Sequence, residues 1–117
     1  MSNPVPTITQ YVTIAALALS LGVPASAFAQ DAPSVSVQDE VFVPAQVEII
    51  AGDTLTWSHD GAEQHTITAD DESFDSGLIN PGDTFQTTFD TPGTYPYHCQ
   101  IHGAPGGIGM AGVIVVD

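Results

Sequence analysis

Downstream of residue 30, no window of twelve residues combines helical periodicity with freedom from Gly and Pro. The pattern there is short alternation broken by turns. Val35 and Val37 alternate with Ser34 and Ser36; Phe42, Val43 and the run Val47–Ile50 follow, with Pro44 between them. Thr54–His59 sets Leu55 and Trp57 on one face, and His65–Ala69 alternates again. Thr84–Phe89, Thr94–Cys99 and Gly112–Val116 complete the series. Ala51-Gly52-Asp53, Asp60-Gly61, Pro81-Gly82-Asp83 and Pro92-Gly93 read as turns, and 70–80 as a polar loop. Period two puts successive side chains on opposite faces of a strand, so each segment has one face to bury. Seven to eight such strands with frequent turns predict an all-β sandwich or barrel.

The N-terminus is of another kind. Tyr11–Ala29 is an apolar run, YVTIAALALSLGVPASAFA, ending in the small-x-small pattern Ala27-Phe28-Ala29 just before Asp31. This reads as an export signal over residues 1–29, cut after Ala29 or, alternatively, after Ala27, with a folded domain over 30–117. Left uncut, a run of about this length would just span a bilayer as an anchor. Pro24 and the clustered small residues favour cleavage, hence a periplasmic or extracellular protein without stable membrane insertion. The n-region departs from the usual signal in having no Lys or Arg.

Charge and cysteine content exclude several functions. The chain has no Lys or Arg against 14 Asp+Glu, a formal net charge of −14. Nucleic acid and anionic lipid are bound chiefly through cations, so both are excluded as partners. One cysteine rules out an internal disulfide, a CxxC redox pair and a four-cysteine zinc site. A domain this small without a disulfide gains from another constraint, such as a bound metal.

The segment Tyr95–Met110, YPYHCQIHGAPGGIGM, holds that cysteine, Cys99, with His102 three residues on and Met110 beyond a Gly-rich stretch. Apart from Met1, Met110 is the only methionine. His65 stands upstream at the start of an alternating segment. Two imidazoles, a thiolate and a thioether form a His2Cys set with a weak axial Met, the donor set of a blue copper site.

On these residues the chain resembles the cupredoxins, and among them the plastocyanin, amicyanin and halocyanin-like proteins. The resemblance rests on Tyr95-x-Tyr97-His98-Cys99-x-x-His102, on Met110 before a Gly-Val-Ile-Val strand, and on His65-Thr66-Ile67-Thr68. It covers nearly all of 30–117. It implies a Greek-key β-sandwich, one mononuclear type 1 copper held by His65, Cys99, His102 and Met110, and a monomeric electron carrier rather than an enzyme. The alternative is a periplasmic copper chaperone or store using the same ligands without redox cycling. Two departures stand out. Seven residues separate His102 from Met110, more than in plastocyanin or amicyanin, and Thr66 follows the first histidine where Asn is common. A Thr66 backbone N–H or hydroxyl is able to support the cysteine sulfur in its place.

The resemblance also implies that His102 brings its ring edge to the surface, framed by Ala104, Pro105, Ile108, Ala62 and Leu78–Ile79. That apolar patch suits brief contact with redox partner proteins, and the carboxylates favour partners with a basic docking surface. Strand alternation turns His98 away from Cys99, which makes it a surface residue. His59 is a weaker ligand candidate, Trp57 a core residue, and Asp70-Asp71-Glu72 a solvated face without calcium-loop spacing. A multicopper oxidase needs more histidines than the four present.

Overall fold

Alternation becomes burial along the first strands. In β1 (Ser34–Gln38) Val35 and Val37 are buried; in β4 (Thr54–His59) Leu55, Trp57 and His59 are. The other strands are β2 (Val41–Val43), β3 (Gln46–Ile49), β5 (Thr68–Ala69), β6 (Thr84–Thr88), β7 (Gly93–Ala104) and β8 (Ile108–Val116). The computed structural model describes residues 32–117, and the expected export segment 1–29 lies outside them. The described residues contain no helix.

Eight strands form two four-stranded sheets, ordered β2-β1-β4-β6 and β3-β8-β7-β5. Both are mixed: β1 runs parallel to β4 and β3 parallel to β8, whereas the other pairs are antiparallel. The inner faces meet in an aromatic core. Trp57, fully buried, has ring centroids of Tyr97 at 5.5 Å, Phe85 at 5.6 Å and Phe74 at 5.9 Å, and Phe42 meets Tyr97 edge-on at 4.7 Å. Such a core anchors the sheets: truncating one large buried aromatic to Ala typically costs about 3–5 kcal/mol.

The strands nearest the candidate ligands differ from expectation. His65–Ala69 is strand only at Thr68–Ala69. His65 instead exchanges both backbone hydrogen bonds with Ile79 (3.2 and 2.9 Å), and Ile67 bonds to Ser76, so the 70–80 loop satisfies this backbone in place of a neighbouring strand. β7 and β8 run on past the expected ends at Cys99 and Gly112 into one hairpin with its tip at 105–107. Its register shifts: His98 pairs with Ala111, and the next pair is Gly103 with Gly109. Four residues of β7, Cys99–His102, thus stand opposite one residue of β8, Met110. The excess arches out of the ladder as a bulge does. The two glycines make the pairing beyond it possible. A Cβ on Gly103 would lie 2.5 Å from the Met110 carbonyl oxygen, and Gly109 combines φ +66° with an equally close approach to the His102 carbonyl.

Candidate metal centre

Two segments of the chain deliver three donors to one point. The backbone exchange with Ile79 holds His65, and the bulge turns Cys99 and His102 to the same side of β7. Cys99 Sγ lies 3.8 Å from Nδ1 of His65 and 3.8 Å from Nδ1 of His102, and all three donor atoms fall within 4.8 Å of one another. His65 and Cys99 have no exposure; His102 keeps 22% of its side chain accessible. Met110, opposite the bulge, is buried as well.

The far side of each ring explains why Nδ1 faces the sulfur. His65 Nε2–H donates to Asp39 Oδ1 at 3.0 Å, and Glu63 Oε1 lies 3.1 Å from His102 Nε2, an ion-pair distance without hydrogen-bond geometry. A carboxylate only accepts, so in the neutral His65 ring the proton sits on Nε2 and the Nδ1 lone pair is left toward Cys99. The sulfur also accepts from the Thr66 backbone N–H at 3.4 Å, and the Thr66 hydroxyl accepts from the Gln100 N–H at 2.8 Å. The first contact stabilises a thiolate; the second ties the arch to the segment carrying His65.

These donors fit a metal. The S···N separations of 3.8 Å are short enough for one ion to be held by the sulfur and both imidazoles. His2Cys is a donor set that suits copper. Soft sulfur, two free imidazole lone pairs and partial water exclusion support one-electron chemistry better than hydrolysis.

The other histidines have separate roles. His59 is buried with its ring centroid 5.0 Å from that of His65, yet both its nitrogens are occupied: Nδ1 accepts from Gly61 N–H at 3.1 Å, and Nε2–H donates to the Glu63 carbonyl. It supports the ligand loop and is not among the three converging donors. His98 corrects the sequence reading. It does point away from Cys99, as alternation requires, but it is only 6% exposed, and its Nδ1 meets Asp70 Oδ1 at 2.6 Å. β5 pairs with β7 at this point, Thr68 opposite His98, so the residue after β5 covers the face that alternation leaves open. Asp70 is therefore not part of a solvated run: its second oxygen accepts from Gly106 N–H at 3.0 Å, pinning the hairpin tip, whereas Asp71 and Glu72 are exposed. Of the apolar frame expected around His102, Ala62, Leu78, Pro105 and Ile108 are exposed and Ala104 partly so. Ile79 is turned inward by its bridge to His65.

Two carboxylates at the site escape sequence reasoning. Asp39 lies in the two-residue turn between β1 and β2, and Glu63 follows the Asp60-Gly61 turn. Nothing in their local pattern marks them. Asp39 also accepts from the N–H groups of Ala62 (3.0 Å) and Glu63 (3.1 Å). The bond from His65, then those from the backbone, holds its carboxyl below the usual carboxylate range.

A family model described as a cupredoxin-like domain matches residues 11–116. The chain is similar to a plastocyanin from Scenedesmus fuscus, 38% identical over 88 residues, which cover 66% of this chain and 87% of that protein. Among solved structures it resembles a purple cupredoxin from Nitrosopumilus maritimus (TM-score 0.64, 26% identity, 73% of this chain and 99% of that one). An oxidized amicyanin mutant superposes equally well (TM-score 0.64, 25% identity, 80% of this chain and 90% of that one).

Proposed function

The chain belongs to the cupredoxin-like family, and on that premise we propose that it is an exported, monomeric carrier of single electrons, with one copper held by His65, Cys99, His102 and Met110. The observation that supports this best is the convergence of two carboxylate-backed imidazoles on one buried sulfur. A copper ion bound there would be held by this soft donor set and would supply Cu(II)/Cu(I) chemistry. The residues do the rest. Cys99 carries the thiolate, and the Thr66 N–H holds its charge. The bulge fixes His102 relative to Cys99 by backbone pairing on both sides, so the donors need little rearrangement when the charge at the site changes. Met110 faces the arch from β8 as a weak fourth donor. His102, alone among the three converging donors in retaining exposure, is the exit for an electron.

The partners proposed are redox proteins with a basic surface, contacted around His102, where Leu78, Ile101 and Ile108 are each half or more exposed. A chain with 14 carboxylates and no Lys or Arg attracts such partners at long range. Catalysis is not proposed: with four histidines in the whole chain, two of them bonded elsewhere, a trinuclear copper cluster has no ligands.

The test is a visible and electron paramagnetic resonance spectrum of the copper-loaded protein, alongside Cys99→Ser. An intense visible band that disappears in the variant is the expected result, because the copper–thiolate bond creates the transition. A colourless protein that binds only Cu(I) would make it a chaperone or store. A full band surviving in the variant would refute the ligand assignment.

A further inference from the structure

We propose that Asp39 and Glu63 are positioning residues that act as one unit, the first orienting His65 and the second holding a negative charge against His102, and that together they favour the more highly charged metal state. The inference rests on the copper reading above and extends it to residues outside the donor set. The unit is continuous. Asp39 Oδ1 accepts from His65 Nε2–H at 3.0 Å and from the Glu63 backbone N–H at 3.1 Å, and the Glu63 carboxylate sits 3.1 Å from His102 Nε2. The Glu63 carbonyl is in turn bonded by His59. The turn beneath is tight: Asp39 packs directly against Gly61, and a Cβ at Gly61 would overlap its carboxylate and come within 2.9 Å of its backbone nitrogen. Asp39 therefore has little freedom to leave His65.

Two consequences follow. Fixing the His65 proton on Nε2 presents its Nδ1 lone pair to Cys99 before any metal arrives, so less ordering remains for binding to accomplish. Each carboxylate also makes its imidazole a stronger electron donor, which favours a divalent ion over a monovalent one. Asp39 acts more strongly, because its partner His65 is fully buried and its carboxylate is held by three donors. Glu63 is 56% exposed and water competes for it.

The test compares Asp39→Asn, Asp39→Ala and Glu63→Gln with the unmodified protein. Asparagine and glutamine can still accept from Nε2–H, so they remove charge while sparing geometry. In the metal-free protein at mildly alkaline pH, imidazole nitrogen shifts should show His65 as the Nε2–H tautomer, with that preference lost in Asp39→Ala. Zn(II) affinity, read by competition with a chelator, should fall about 10–100-fold for Asp39→Ala, the usual effect of removing such a partner. The copper reduction potential should rise in both amide variants, more for Asp39→Asn, by about 59 mV for each tenfold that Cu(II) affinity falls relative to Cu(I). Should Asp39→Ala fail to fold, Glu63→Gln at an exposed position carries the test. An Nδ1–H tautomer at His65, or unchanged potentials in both amide variants of a protein that does take up copper through Cys99, would overturn the inference alone. A protein that takes up no metal through Cys99 would overturn the copper reading with it.

Discussion

His65 and His98 are both buried, and each is bonded to an aspartate. They differ in which nitrogen the aspartate takes. At His65 the carboxylate of Asp39 holds Nε2, the distal atom, and leaves Nδ1 facing Cys99. At His98 the carboxylate of Asp70 holds Nδ1 itself, on the opposite side of β7. The same residue pair thus has two outcomes. In one, the carboxylate prepares a donor; in the other, it ties a strand to a hairpin tip through Gly106. Being next to the cysteine in sequence does not make a histidine a ligand. The atom left free, and the direction in which it points, do.

Substitution of each histidine is the sharpest way to break this comparison. His65→Ala should abolish the intense visible band, whereas His98→Ala should leave it intact. The cost of His98→Ala should appear in folding instead: loss of a buried charge-assisted bond costs about 1–3 kcal/mol. For a domain of this size that lowers Tm by roughly 4–8 °C per kcal/mol. Thermal melts and spectra of the two variants check both halves. A lost band in His98→Ala would mean that the Asp70 pair shapes the donors after all.

Met110 sharpens the comparison from the β8 side. It is buried opposite the arch formed by Cys99–His102, a position that only the register shift provides. Met110→Leu should keep a coloured site and raise its potential by at least the about 59 mV that a tenfold change in relative Cu(II) and Cu(I) affinity produces. Voltammetry checks it; an unchanged potential would remove Met110 from the donor set.

The smallest effect concerns the residue just before His98. The Tyr97 hydroxyl and Trp57 Nε1 are buried without a well-formed hydrogen bond. Burial pushes the Tyr97 phenol up to about 12, only partly opposed by the Trp57 indole N–H. The folded protein therefore keeps a proton that the unfolded chain releases near pH 10. The stabilising contribution is complete below pH 10 and is lost progressively as pH rises toward about 12, at most about 2–3 kcal/mol in all. Tyr97→Phe should remove that share of the alkaline loss and match or exceed the parent at pH 7 by up to about 1 kcal/mol. Denaturant unfolding at pH 7, 10 and 11.5 measures it. Equal alkaline losses in both proteins would show that Tyr97 is not the group responsible.

Much of this molecule was legible in one dimension. Alternation at Val35–Val37 and Leu55–Trp57 names the buried faces, because a strand has no choice about which side successive residues take. The spacing Cys99-x-x-His102 and the rarity of cysteine and methionine point to the donors, because so few chemistries use them together. The sequence also suggested that Thr66 would support the sulfur, and its backbone N–H does so at 3.4 Å. Other features depend on chain segments far apart in sequence. Asp39 reaches His65 across 26 positions and Asp70 reaches His98 across 28. Neither contact has a local period or motif, since each forms only when a turn on one strand closes over another. The register shift that sets four residues against Met110 is likewise a property of two paired strands, and no single strand encodes it. Sequence therefore determined the strand faces and the identity of the donors. Tertiary structure decided which ring nitrogens face Cys99, because that depends on carboxylates brought in from elsewhere in the chain.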